Sequence, residues 1–152
     1  KTFFLGETVK VDYRLGRQKI GAKLGCNWRN ATSAREDFAT VNAANFNYGL
    51  TGQFELPCGF QLFPDLTMYS RRGYEAHEMN TDELVWNARL SKKFFKKRLT
   101  VALEGFDILH NLSTVTHSLN GQGRTETYRN VIPSYGMLHL IYRLNIQPKK
   151  RQ

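Results

Sequence analysis

The stretch LVWNARLSKKFFKKRLTVAL, Leu84 to Leu103, decides how this chain is read. Before its basic turn the apolar residues fall on even positions (Leu84, Trp86, Ala88, Leu90), with Asn87, Arg89 and Ser91 among the residues between. After the turn they fall on odd positions (Leu99, Val101, Leu103), and Thr100, Ala102 and Glu104 intervene. Alternation with a period of two places one set of side chains on each face of a strand. The spacings of three and four that a helix needs are absent. Two such runs around a short turn predict a β-hairpin with one apolar and one polar face.

The same unit recurs along the chain. Val9, Val11, Tyr13 and Leu15 alternate with Lys10, Asp12 and Arg14, and Gly16 to Lys19 turns the chain. Ile20, Ala22, Leu24, Cys26 and Trp28 then take the apolar parity, and residues 30–40, small and charged, read as a long loop. A third strand carries Ala44, Phe46, Tyr48, Leu50, Phe54 and Leu56 as far as the turn Pro57-Cys58-Gly59. Phe60, Leu62, Leu66 and Met68 follow, with Pro64 predicting a bulge because it has no N–H to give the ladder. Gly73 to Asp82 reads as a loop. After the opening hairpin the apolar parity slips at Gly105, where Phe106 and Ile108 succeed Leu103, which predicts a glycine bulge. Leu112 to Ser134 is a long connection with a short hairpin of its own around Asn120–Gly123. Leu138, Leu140, Tyr142, Leu144 and Ile146 mark the last strand, and residues 147–152 are a basic tail.

Short turns at Gly16, Pro57 and Phe95 therefore alternate with long loops after Trp28, Tyr69 and Leu109. The short turns gather at one end of the sheet and the long loops at the other. The strands reach about ten residues or more, against roughly five to six in most sheets. About ten residues is what a tilted strand needs to cross a bilayer. The pattern predicts an all-β, antiparallel up-and-down meander of long strands, part of a transmembrane β-barrel, with residues 1–152 as one segment. The first residues already read as strand, so the chain is expected to be a piece of a larger barrel.

The net charge of +9 raises the question of nucleic-acid binding. The cations fall in turns (Arg17, Lys19, Lys92, Lys93, Lys96, Lys97, Arg98), in the tail (Lys149, Lys150, Arg151) and on the polar parity. They form no aromatic-and-basic stacking platform, so a nucleic-acid partner is not expected. No apolar run approaches the eighteen residues of a membrane helix, which says nothing against strands. Cys26 and Cys58, the two cysteines, lack CxxC or zinc spacing and are expected to be reduced and without a role. No nucleophile elbow, P-loop, HExxH or Rossmann glycine pattern is present. His77, His110, His117 and His139 are scattered; only His110 and His117 come near metal-ligand spacing, and both read as loop bystanders. Neither catalysis nor a cofactor is expected.

The polar parity supplies the candidate lumen lining: Lys23, Arg29, Gln53, Glu55, Asp65, Arg89, Glu104 and Arg143, alongside Lys10, Asp12 and Arg14. A wet lumen and a wet exterior suit such residues equally, so the aromatics have to decide. On the apolar parity Trp28 and Trp86 lie toward the long loops, while Tyr13, Phe54, Phe60, Phe94 and Tyr142 lie toward the short turns, with Phe46 a further girdle candidate. Ala22, Leu24, Leu50, Leu62, Ala88 and Leu140 fill the middle. Two aromatic girdles around an aliphatic band describe a membrane wall. The alternative is a soluble, lipocalin-like antiparallel barrel around a small apolar ligand. It requires Leu24, Leu90, Leu103 and Leu140 to point inward and the barrel to close within this chain. A small complete barrel would need an eighth strand from residues 114–131.

The segments WNARLSKKFFKKRLTVALEGFDILHN (86–111) and LHLIYRLNI (138–146) resemble the C-terminal end of TonB-dependent-receptor-like outer-membrane barrels of Bacteroides-type bacteria. The shared features are an Asn-led strand at Asn87, the Lys92–Phe94 turn approach, the Asp107–Asn111 strand end and the closing Tyr142–Asn145 run, with Leu144 where Phe is usual. The resemblance implies a bacterial outer-membrane location and a parent barrel of twenty-two strands with an N-terminal plug. It implies uptake of a bulky nutrient, contact with outer-membrane lipid, and coupling to the TonB complex through the plug. Short turns would then face the periplasm. The outward loops, residues 31–40 and 113–134, would be the candidates for substrate contact.

Overall fold

A computed structural model describes residues 2–32, 40–113, 115–120, 123–128 and 132–144. Nine strands form. They are β1 (Thr2–Leu15), β2 (Gln18–Ala31), β3 (Val41–Glu55), β4 (Phe60–Arg72), β5 (Asp82–Phe94), β6 (Leu99–Phe106), β7 (Val115–Asn120), β8 (Gly123–Tyr128) and β9 (Tyr135–Tyr142). Seven make one antiparallel sheet in the order β1-β2-β3-β4-β5-β6-β9, and β7-β8 is a separate hairpin. The expected meander and the hairpin within the long connection are both present. β7 and β8 do not join the main sheet, so no eighth wall strand comes from this segment.

Register carries the alternation from strand to strand. Val11 pairs with Ala22, Ala22 with Leu50, Leu50 with Leu66, and Leu66 with Trp86. Leu62 pairs with Leu90, Leu90 with Leu103, and Leu103 with Leu138. A slip of one residue at any ladder would send half of these side chains to the other face. None occurs, and the apolar residues form one continuous surface.

The successive short turns are staggered, and the stagger fixes the tilt. Continued across β2, the Gly16-Arg17 turn falls level with Glu55, where Gln18 holds both the N–H and the carbonyl of Glu55. The next short turn, at Pro57–Gly59, reaches about two to three residues further, and the turn after Phe94 steps by the same amount again. Each step is about 8 Å along the strand over about 9.5 Å across two strands, a tilt of roughly 40° if the turns are level. Membrane barrels tilt their strands by roughly 35–45°.

Both predicted bulges are absent, for different reasons. Pro64 stays in register with Ala88 of β5, and the β3–β4 ladder resumes in the same register beyond it. Only the cross-pairs around Gly52 and Pro64 are missing; a side chain at Gly52 would meet the Pro64 ring at 3.0 Å. At Gly105 the register runs unbroken to Ala88 on one side and Gly136 on the other. The parity slips because the strand ends. Phe106 occupies the polar-face parity, stacked on Tyr135 with ring centres 4.6 Å apart. Asp107 then takes a left-handed φ of 43°, and Ile108 folds back over Gly105 with its N–H donated to the Trp86 carbonyl (2.8 Å).

Candidate functional site

The site of this protein is a surface with two chemistries, and burial shows which side is crowded. Leu24 and Leu103 are each 57% exposed and Leu140 67%, all on the apolar face. On the polar face Ala102 is 1% and Ser91 5% exposed, and Gly21 and Gly25 are buried. Side chains converge on the polar side and splay on the apolar side, so the polar side is the concave one. Among the described residues no second layer covers the apolar ones. The lipocalin-like arrangement, with leucines inward and closure within the chain, is therefore not what forms: among the described residues β1 and β9 are separate edges of an open sheet.

The apolar band has bilayer height. On β5 it runs from Leu84 to Phe94, about 33 Å along the strand and about 25 Å in height at a 40° tilt, the height of a barrel's lipid-facing band. Its outer limit is chemical. Arg72 and Ser70 both hold Asp82 on this face, the Arg72 Nη2 to Asp82 Oδ2 distance being 2.6 Å. Trp28 lies toward the same rim, edge-on to Phe3 with centres 5.7 Å apart and its indole N–H donated to Asn42 Oδ1 at 2.7 Å. Phe46 is level with Cys26 and Ser70, and Trp86 stands opposite Leu66. Toward the short turns lie Tyr13 opposite Ile20, Phe60 opposite Lys92, and Phe94 opposite Leu99, itself paired with Tyr142. Cys26 is half-buried on this face and Cys58 is exposed in a turn; both are free thiols.

All the lumen candidates from the sequence share the concave parity, and the fold brings some of them together. Arg89 Nε and Glu104 Oε1 are 3.1 Å apart, an ion pair without a hydrogen bond at that nitrogen. Glu104 Oε2 also lies 3.0 Å from His139 Nε2. Glu55 pairs with Arg17 (3.1 Å) and accepts weakly from Gln61 at 3.5 Å, while Asp65 accepts from the Thr67 hydroxyl. Gln53 is set opposite Lys19, whose ammonium reaches Asp12 at 3.3 Å. Arg29 stands between Phe4 and Ala43, and the Arg143 backbone N–H donates to the Arg98 carbonyl just past β9. Lys23 faces Lys10 directly. Like charges placed opposite are unfavourable in a sheet, and this pair concentrates positive charge at one point of the concave face.

Three polar networks escaped the sequence reading. The Asn87 side chain accepts the Asp107 N–H (2.9 Å), and the buried Asp107 carboxylate accepts the N–H groups of Asn111 (3.1 Å) and Leu112 (2.9 Å). The Asn-led strand and the Asp107–Asn111 strand end are thus two halves of one cap. In the β4–β5 loop, Gly73 crosses against the Asn42 carbonyl at a φ of 82°, and Tyr74 packs on Ala31, Val41 and Ala43. The Tyr74 hydroxyl donates to Asn45 Oδ1 (3.1 Å) and Asn80 holds both backbone groups of Tyr74, while Met79 is buried. This loop folds onto the concave face at its mouth. The third network is the Ser70–Arg72–Asp82 rim. Its hint in the sequence is Arg72 and Asp82 on an otherwise apolar parity. Most of the outward loop over residues 31–40, the side chains of residues 114–126, and the tail lie outside the described residues.

A tilted antiparallel sheet with a bilayer-high apolar surface outside and a crowded polar surface inside is a segment of transmembrane β-barrel wall. The chain belongs to the outer membrane protein beta-barrel family, whose model matches residues 15–142. It is accordingly a protein of the bacterial outer membrane. No curated protein and no solved structure matches it.

Proposed function

We propose that this chain is part of the barrel of a TonB-dependent receptor that imports a bulky nutrient across the outer membrane. The observation that carries the reading is the open arc. Seven tilted strands, most of them thirteen to fifteen residues long, run side by side without closing. We read the arc as part of a barrel of many more strands, with a lumen wider than that of a small eight-stranded barrel, whose interior side chains fill. A wide lumen suits cargo too large for diffusion pores, and such a lumen needs a plug and an energised opening step. The cap built by Asn87, Asp107 and Asn111 supports the reading, because it gives a structural reason for residues in the receptor-like motif.

The chain's own part is passive in this reading. Its apolar face solvates the barrel in lipid, its polar face lines the cargo path, and its outward loops make first contact with cargo. It performs no catalysis and needs no cofactor or nucleic-acid partner. The test is growth on a panel of bulky nutrients with the full-length gene deleted, then restored, with and without a functional TonB complex. Uptake lost on deletion and equally lost without TonB supports the reading. Uptake that persists without TonB, or that an uncoupler of the proton gradient leaves unchanged, overturns it.

A further inference from the structure

At the short-turn end, the lipid-facing surface and the turn beside it carry cations that have no acidic partner among the described residues. Lys92 takes the apolar parity of β5, in line with Phe60 and Val101. Its ammonium lies 4.5 Å from the centre of the Phe60 ring and 5.4 Å from that of Phe94. Just beyond it, Phe95, Lys96, Arg98 and Tyr142 line an open cleft of about 510 Å³. At the opposite rim Arg72 is neutralised by Asp82. Among the described residues Lys92, Lys96 and Arg98 have no such carboxylate.

The turn itself is unusual. Phe95, Lys96 and Lys97 are consecutive non-glycine residues at φ 50°, 53° and 70°. Side chains make that left-handed region unfavourable, and a run of three is held only where the surroundings impose it. Its effect is to display Phe95, 71% exposed, beside Lys96 at the edge of the aliphatic band.

We propose that this cleft binds the phosphate of a membrane glycerophospholipid, drawn from the leaflet that the short turns reach. Lys96 and the Arg98 guanidinium take the phosphate oxygens, Arg with the fork geometry that suits them. Lys92 adds a nearby charge that its two rings keep at the lipid side, where a long stem leads the ammonium toward the interface. Phe95 and Tyr142 cover the glycerol and the first methylenes, and the acyl chains continue onto Leu99 and Leu140. Charge selects this occupant: three unneutralised cations border an apolar surface that only a molecule with an anionic head and a hydrocarbon tail satisfies at once. The inference rests on the lipid-facing assignment and is independent of nutrient uptake.

The test uses the full-length protein in nanodiscs of phosphatidylcholine, titrated with fluorescent phosphatidylglycerol, and mass spectrometry of the lipids retained after purification in mild detergent. Retention on an unheated SDS gel of the compact, fast-migrating form certifies that each variant is folded. A Lys or Arg near a membrane surface contributes about fivefold to the attraction of acidic lipid, so Lys96→Gln with Arg98→Gln weakens binding by about twenty-five-fold. Lys92→Met alone weakens it by about fivefold, and Arg71→Gln, at the other end and on the other face, leaves it unchanged. Equal binding by wild type and the folded double variant overturns the proposal. So does retention of lipid A in place of glycerophospholipid, or complete displacement by millimolar inorganic phosphate, which would make the cleft a site for free anions.

Discussion

Substitution of Leu90 by arginine tests the face assignment where it is most demanding. Leu90 lies four residues from Phe94 on β5. At about 3.3 Å per residue and a tilt of about 40°, that is about 10 Å above the short-turn girdle, close to the middle of a 25 Å band. An arginine at mid-height on a barrel's lipid face costs about 2–4 kcal/mol, falling to about 0–1 kcal/mol near the interfaces. Leu90→Arg is therefore expected to destabilise the full-length protein by about 2–4 kcal/mol, and Leu84→Arg, nearer the Ser70–Asp82 rim, by no more than about 1 kcal/mol. Thr51→Arg is the control: Thr51 is level with Asp65 on the concave face and its new charge enters a wet, partly acidic surface. The assay is reversible urea unfolding in lipid vesicles, followed by tryptophan fluorescence. A Leu90→Arg variant as stable as wild type, or a Thr51→Arg variant that suffers more than Leu90→Arg, would refute the assignment of faces.

Removing the Asp107 carboxylate with Asp107→Ala leaves two backbone donors without their acceptor and puts alanine at a φ of 43°, for an expected loss of about 2–4 kcal/mol in the same unfolding assay. Asp107→Asn keeps an acceptor and tolerates the backbone, so it should cost less than half as much; equal losses would show that the cap is not the reason. A double-mutant cycle on Arg89→Met and Glu104→Gln should give a coupling near 1 kcal/mol, since the pair is only partly exposed and shares Glu104 with His139. Coupling indistinguishable from zero would reduce it to a bystander. Gly73→Ala forces a Cβ into the Asn42 carbonyl and should loosen the β4–β5 loop, read as faster cleavage by a protease added to the purified, folded protein. Unchanged cleavage would mean that the loop is held by Tyr74 and Met79 alone.

What the sequence made legible is what has a period. Even and odd parity located every strand of the wall and sorted Lys23, Glu55, Arg89 and Glu104 from Leu24, Leu90 and Leu103, because register keeps one chemistry on one face. Turn spacing gave the two ends of the sheet. What escaped has no period. Asp107, His139 and Tyr74 act across ladders or from loops, through contacts between residues twenty to thirty-five positions apart in the chain. The two expected bulges, absent for different local causes, likewise depended on neighbours that have no period in the sequence. Pro64 and Gly105 were judged by their own backbones, while the outcome was set by neighbours: Gly52 gives the Pro64 ring room, and Ile108 uses the space that Gly105 leaves.

The two ends of the wall solve different problems, and the difference bears on its work. At the short-turn end the hairpins are tight, and the cations that face lipid are exposed to it. At the long-loop end the polar groups are consumed internally: Asp107 by backbone N–H groups, Asp82 by Arg72 and Ser70, Tyr74 by Asn45 and Asn80. A loop folded back over a strand surface buries some of its own backbone, and those polar groups need partners. The Gly73–Thr81 loop does so by resting on Ala31, Val41 and Ala43, which places the main buried apolar cluster of the described residues on the otherwise polar face. The mouth is therefore built as a small globular core perched on a membrane wall.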